Sequence, residues 1–250
     1  MVKLGLPLGL SVIFCLCVGA NPAEISWPPC ASAPFRVLSP PSTAAVDDSA
    51  SVSLPSRVEP CAIKPGLTLE WINSAGARWV ETFMGYHDDP NPACVAKPPC
   101  SEWREDGDNG TWFYFYDGDR NLYHSYRTRC GVPCIAQIAG QPSPAPDPQH
   151  RFAKRLRWPL TIGDEWTNDY GSGPGIRREV RVVGWEKVRV PAGTFQVIHI
   201  RLHNNVIRDR RLSYGQDLYY EPDIGIFVKI YFGGFPQART SELTAIRNSI

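Results

Sequence analysis

Two stretches of this chain alternate with a period of two and are joined by a five-residue turn. Arg181, Val183, Trp185 and Lys187 alternate with Val180, Val182, Gly184 and Glu186. Ile198, Ile200 and Leu202 alternate with Val197, His199, Arg201 and His203. Successive strand side chains point to opposite faces, so this period specifies β-strands and argues against an amphipathic helix. Between them, Val190-Pro191-Ala192-Gly193-Thr194 suits a tight hairpin, because Pro191 presets φ and Gly193 can take a positive φ. Ile198, Ile200 and Leu202 are expected in a core. Val197, His199, Arg201 and His203 are expected to face solvent or a lumen.

The same grammar recurs from Gly66 onward. Thr68–Ile72 and Arg78–Met84 flank Asn73-Ser74-Ala75-Gly76, and Thr111–Tyr116 and Leu122–Tyr126 flank residues 117–121. Tyr214–Tyr220 and Ile226–Phe232 flank Glu221-Pro222-Asp223-Ile224-Gly225. Each is a hairpin signal, and about eleven strands are expected in all. The 24 prolines among 250 residues disfavour an all-helical fold, since proline removes a donor and breaks helix interiors. Phe152–Trp158 could make two helical turns before Pro159. The expected fold is mainly β: a single curved antiparallel sheet, half-barrel or barrel, with few short helices. Residues 85–110, with Pro90, Pro92, Pro98 and Pro99, read as a long loop, and 139–150 as a Pro-rich surface loop.

Residues 1–20 read as a signal peptide. Lys3 gives the positive start, Leu4 to Val18 the apolar run, and Val18-Gly19-Ala20 the small-residue cleavage site. Residues 21–60 are rich in Pro, Ser and Ala and read as an arm or linker, leaving 61–250 as one antiparallel β domain. A lipid-anchored form is less favoured, because Phe14 and Leu16, not small residues, precede Cys15 and Cys17. No later run is apolar for long enough to cross a membrane as a helix. The chain is therefore expected in the periplasm or outside the cell.

Export changes how the cysteines read. Cys30, Cys61, Cys94, Cys100, Cys130 and Cys134 follow the leader, and an even number in an oxidising compartment favours disulfides. Spacing suggests Cys94–Cys100, Cys130–Cys134 and Cys30–Cys61, among the 15 pairings that six cysteines allow. A zinc site from Cys94, Cys100, Cys130 and Cys134 is the competing reading; the gap between Cys94 and Cys100 fits it poorly.

Three motifs carry a resemblance. They are Pro159-Leu160-Thr161-Ile162-Gly163-Asp164-Glu165-Trp166, then Val190-Pro191-Ala192-Gly193-Thr194-Phe195, then Tyr219-Tyr220-Glu221-Pro222-Asp223-Ile224-Gly225 followed by Val228-Lys229. Together they resemble a group of uncharacterised bacterial exported or envelope domains, some similar to LolA-like half-barrels. The resemblance implies export, a curved sheet and no catalytic residues. Tyr219 stands where that pattern usually has Trp, and the lipid-attachment cysteine is missing.

Chemistry is thinly signalled. No G-x-S-x-G elbow occurs, and Gly171-Ser172-Gly173-Pro174-Gly175 lacks the ending of a phosphate loop. His199 and His203, four apart in a strand, would lie about 13 Å apart, too far to share one ion. His87-Asp88-Asp89 reads as a loop cluster. Asp117, Asp119 and Asn121 match the start of a calcium loop, but Leu122 and Thr128 stand where Gly and Glu are needed. No cofactor or metal is expected. After the leader the charges balance at 25 of each sign, which argues against nucleic acid as a partner.

The consecutive aromatics Trp112, Phe113, Tyr114, Phe115 and Tyr116 are the main functional signal. A strand with aromatics on both faces places one set in the core and leaves the other to cover something else. A non-enzymatic exported protein is expected, binding an apolar or amphipathic ligand, or an envelope protein partner, on a curved sheet. The pocket is expected between one face of Trp112–Tyr116 and the 214–232 strands, with Trp112, Tyr114, Tyr116, Tyr219 and Tyr220 as candidate contacts. A structural or surface-adhesion module is one alternative. A hydrolase or metal-dependent enzyme is the other, requiring a histidine such as His87, His124, His199 or His203 beside a carboxylate or hydroxyl.

Overall fold

Among the described residues, thirteen strands, all paired antiparallel, make up the regular structure. It is seen in a computed structural model that describes residues 27–30, 53–87, 99–108, 110–116, 122–128, 156–170, 176–206, 213–234 and 238–248. The strands are β1 (Arg57–Val58), β2 (Leu67–Asn73), β3 (Arg78–His87), β4 (Cys100–Gly107), β5 (Gly110–Tyr116), β6 (Leu122–Thr128), β7 (Leu160–Thr161), β8 (Glu165–Tyr170), β9 (Ile176–Val190), β10 (Gly193–Val206), β11 (Tyr214–Glu221), β12 (Ile226–Phe232) and β13 (Arg239–Asn248). No helix occurs among the described residues.

Eleven strands form one sheet in the order β6-β5-β4-β3-β2-β13-β12-β11-β10-β9-β8. It is two meanders sharing one seam. β2 to β6 run outward on one side, β8 to β13 run inward on the other, and β13 pairs with β2 to join them. The sheet is open and does not close into a barrel: β6 and β8 are its two edges.

The hairpin turns follow local chemistry. At Asn73, the side-chain Oδ1 accepts from the Ala75 and Ala77 amides at 2.9 and 3.0 Å, and Gly76 takes φ +85°. An Asx turn with a left-handed glycine is how such a sequence reverses direction.

Two buried clusters hold the sheet. One joins Leu69, Trp71, Phe83, Trp103 and Leu243 to Val188, Val190, Phe195 and Val197. The other contains Val180, Val182, Ile198, Ile200, Leu202, Leu218 and Tyr220, closed by Leu156 and Leu160. β9 feeds both. His199 pairs with Gly184 but Ile200 pairs with Val182, so Val183 is an extra residue opposite none. That bulge reverses the inside-outside alternation of β9, sending Val180 and Val182 to one cluster and Val188 and Val190 to the other. Past the bulge the β9–β10 tip reaches β13, where the Ala192 amide donates to the Leu243 carbonyl at 2.9 Å.

Several expectations need correction. Residues 100–107, read as loop, form β4, paired on both sides. Part of the 21–60 segment belongs to the fold: Arg57 and Val58 pair with Thr161 and Leu160, and Trp185 Nε1 donates to the Pro55 carbonyl at 2.8 Å. Val197 and His199 are buried, because both faces of β10 are covered at that level; Arg201 and His203 are exposed. β13 was not anticipated, since Arg239–Asn248 carries a weak strand signal.

Cys30 and Cys61 form a disulfide packed against the β11–β12 turn, where a Cβ on Gly225 would meet both sulfurs at 3.0 and 3.2 Å. Cys100 is also disulfide-bonded, so it is no thiolate for zinc. Cys94, Cys130 and Cys134, the 117–121 turn, the 139–150 loop and Gly171–Gly175 lie outside the described residues.

Candidate functional site

Tyr114 and Tyr116 of β5 share a crevice with Phe227 and Ile230 of β12. Five strand intervals separate β5 from β12 in the sheet. On a flat sheet that is about 24 Å, too far for one crevice, so the sheet curls toward this face. Leu69, Trp71, Glu81, Trp103 and Ile226 complete the lining of a space of about 90 Å³.

Register explains the membership. Phe83 pairs with Trp103, and Trp103 with Tyr114, so three neighbouring strands stack aromatics in one row. Phe83 and Trp103 sit 5.1 Å apart, and Trp112, Tyr114 and Tyr116 follow one another along β5 at 6.3 and 6.5 Å. Trp71 lies flat on Trp79, 5.9 Å away and 3° from parallel. Such contacts fix ring orientation as well as burying area.

One carboxylate belongs to the lining. Glu81 accepts from Trp71 Nε1 at 3.1 Å and from Trp79 Nε1 at 3.3 Å. Its direct cross-strand partner is Glu105. Burial pushes the Glu105 carboxyl up, the Tyr114 hydroxyl bond draws it down, and Asp106 adds to the rise; the balance is upward. Tyr114 is raised as well, first by burial and then by Glu105. This wall therefore combines aromatic faces with negative charge.

The sequence candidates divide between three places. Tyr114 and Tyr116 line the crevice, and Trp112 stands beside them on the same face. Tyr220 is buried in the second cluster, edge-on to Phe227 at 5.5 Å. Tyr219 points the other way and stacks on His199 at 4.9 Å. Tyr219 and Tyr220 are neighbours in β11 and present their rings to opposite faces of the sheet. Phe227 and Ile230 lie within the 214–232 strands expected to form a wall, whereas Trp71, Trp103 and Glu81 were not singled out. Leu69-Glu70-Trp71 alternation carried a usable signal, whereas Trp103 was hidden in a presumed loop.

A second polar arrangement lies on the opposite face of β9 to β13. His199 Nε2 is 2.6 Å from Asp217 Oδ1, and its Nδ1 is 3.3 Å from Glu186 Oε2. Arg201 Nε donates to the same Asp217 oxygen at 2.9 Å. Burial raises the Asp217 carboxyl, but hydrogen bonds from Arg201 and His199 outweigh it and hold the group below the usual range. Tyr219 is raised by burial and by Glu186 and Asp217. Both imidazole nitrogens face carboxylates, so the ring is held between two acids and does not rest on a hydroxyl or thiol nucleophile. Among the described residues no group of three or more His, Cys, Asp or Glu side chains is placed to hold a metal.

No protein-family model matches the chain, and no curated protein does. Three solved structures are similar in fold. The "hypothetical lipoprotein YmcC" from Escherichia coli shares 10% identity, with 75% of this chain and 86% of that one covered and a TM-score of 0.39. The "putative exported protein with YmcC-like fold" from Bacteroides fragilis shares 12%, covering 76% and 100%, with a TM-score of 0.36. The "putative lipoprotein" from Parabacteroides distasonis shares 10%, covering 74% and 97%, with a TM-score of 0.35. At these values the likeness carries no weight for function.

Proposed function

We propose that this chain is an exported, non-enzymatic protein that binds an amphipathic ligand in the aromatic crevice. The observation that carries the reading is the meeting of Tyr114 and Tyr116 with Phe227 and Ile230 across the curled sheet. A sheet that needed only to bury its own side chains would have no reason to leave space between them, because interiors pack to crystal density. Concave, mostly apolar sites with a few polar groups are the usual form of small-ligand sites. Export rests on the leader and agrees with the Cys30–Cys61 disulfide.

Native and denaturing mass spectra of the exported protein test this. An added mass of a few hundred daltons in the native spectrum, lost in Tyr114→Ala, is expected. A protein that leaves the cell empty and binds no amphiphile added in solution would end the proposal in favour of a structural module.

A further inference from the structure

A second pocket, sharing no lining residue with the crevice, lies between the N-terminal arm and the segment that leads into β7. It offers about 350 Å³, within the range of about 300–1,000 Å³ common for recognition sites. Trp27, Pro28, Glu59, Pro60, Trp158 and Pro159 line it. Independently of the ligand-binding reading above, we propose that this pocket docks an extended proline-rich peptide of a partner protein, with a basic residue beside its prolines.

Three observations support it. The first is a rigid wall of aromatic and proline rings. The Cys30–Cys61 disulfide holds Trp27 and Pro28 in place, together with bonds from the Ala62 amide to the Pro28 carbonyl at 2.8 Å and from the Cys30 amide to the Ala62 carbonyl at 2.9 Å. Tyr86 meets the Trp27 ring edge-on at 6.5 Å, and Tyr220 meets the Trp158 ring at 5.6 Å. Aromatic-lined grooves dock polyproline II chains, which are extended before they bind and lose little entropy. The second is an unmet donor: Trp158 Nε1 is buried with no hydrogen-bond partner. A polyproline II chain makes no internal hydrogen bonds, so its carbonyls are free to accept from such an indole N–H, which is costly to leave unmet. The third is charge. Glu59 is the charged residue of the lining, and its pair with Arg57 joins two exposed side chains, 58% and 63% accessible. Such a pair is weak, so a basic residue on the peptide can share the carboxylate.

The full mature protein would be titrated by calorimetry with an oligoproline peptide ending in arginine, the same peptide ending in glutamate, and a Gly/Ser peptide of equal length ending in arginine. The first is expected to bind about tenfold tighter than the Gly/Ser peptide, because it is extended beforehand. It should bind about threefold tighter than the glutamate form, a gap that Glu59→Gln closes. Trp158→Phe keeps a ring and removes the donor, and should weaken oligoproline binding about tenfold. If Trp158→Phe does not fold, Trp27→Ala serves: it lies on the arm, outside the strands, and should weaken binding at least as much. Equal affinities for the oligoproline and Gly/Ser peptides, binding of neither, or oligoproline binding unchanged by Trp27→Ala would overturn the proposal. Equal affinities for the arginine and glutamate forms would overturn the basic residue beside the prolines.

Discussion

His199 Nε2 lies 2.6 Å from Asp217 Oδ1, on the face of the sheet away from the crevice. The contact links β10 to β11 diagonally, two residues along from the direct pairs His199–Tyr219 and Arg201–Asp217. Arg201 is exposed, so its part of the network is partly screened by water. His199 is buried and is the stronger anchor.

Asp217→Asn should therefore destabilise the fold by about 2 kcal/mol, the range for hydrogen bonds to charged groups. The effect depends on pH in a defined direction. The folded Asp217 carboxyl is held below its ordinary value. Its contribution is present above the unfolded pKa, near 4, and is lost as pH falls through the folded value. Denaturant melts of wild type and Asp217→Asn should converge under acid and separate at neutral pH. Parallel curves at every pH would exclude the ion-pair account.

Glu221 behaves in the opposite sense. It is buried beside the β11–β12 turn, and burial pushes its carboxyl up to about 7 although the Asp223 amide, donating at 3.2 Å, draws it down. The native state then holds a proton that the unfolded chain releases near 4.5. Stability present at pH 4.5 is lost as pH rises towards 7, by about 3 kcal/mol if the whole shift is expressed. Glu221→Gln should flatten that slope in urea melts taken from pH 5 to 8.

The Cys30–Cys61 bridge closes a separation of 31 residues and fixes Trp27-Pro28-Pro29 to the domain. A loop of that length predicts a loss of about 3–4 kcal/mol on replacing both cysteines by serine. Thermal melts under oxidising conditions measure it. Loss of the 29–62 bridge, where the residue-30 amide donates to the Ala62 carbonyl at 2.9 Å in the wild type, should show as faster amide exchange at position 30 of that variant.

Gly184 takes φ +153°, with open space where a Cβ would stand. Gly184→Ala should cost about 1–3 kcal/mol from backbone strain alone, with no clash to relieve. Deleting Val183 should cost far more, because it removes the extra residue and slips Val180 and Val182 off their cluster. A Val183 deletion that melted like wild type would show that the bulge is dispensable.

Much of the antiparallel grammar was readable locally. Asn73-Ser74-Ala75-Gly76 announced its turn because the asparagine side chain and the glycine act within four residues. β4 escaped because Ser101, Glu102, Arg104, Glu105 and Asp106 are polar; Cys100, Ser101 and Trp103 are buried only because β3 and β5 flank them. The β5 half of the crevice was legible in Trp112–Tyr116. The β12 half was legible only as the 214–232 strands at large, since nothing local says that Phe227 in particular will face Tyr114.

By itself, the sequence determined the strand period, the turns and the aromatic richness of β5, all set by interactions within a few residues. Tertiary structure decided the seam between β13 and β2, the burial of His199 between two carboxylates, and the curl that brings β12 to β5. Those features depend on register and bulges summed over many strands. One inserted residue such as Val183 reverses which face every later side chain presents.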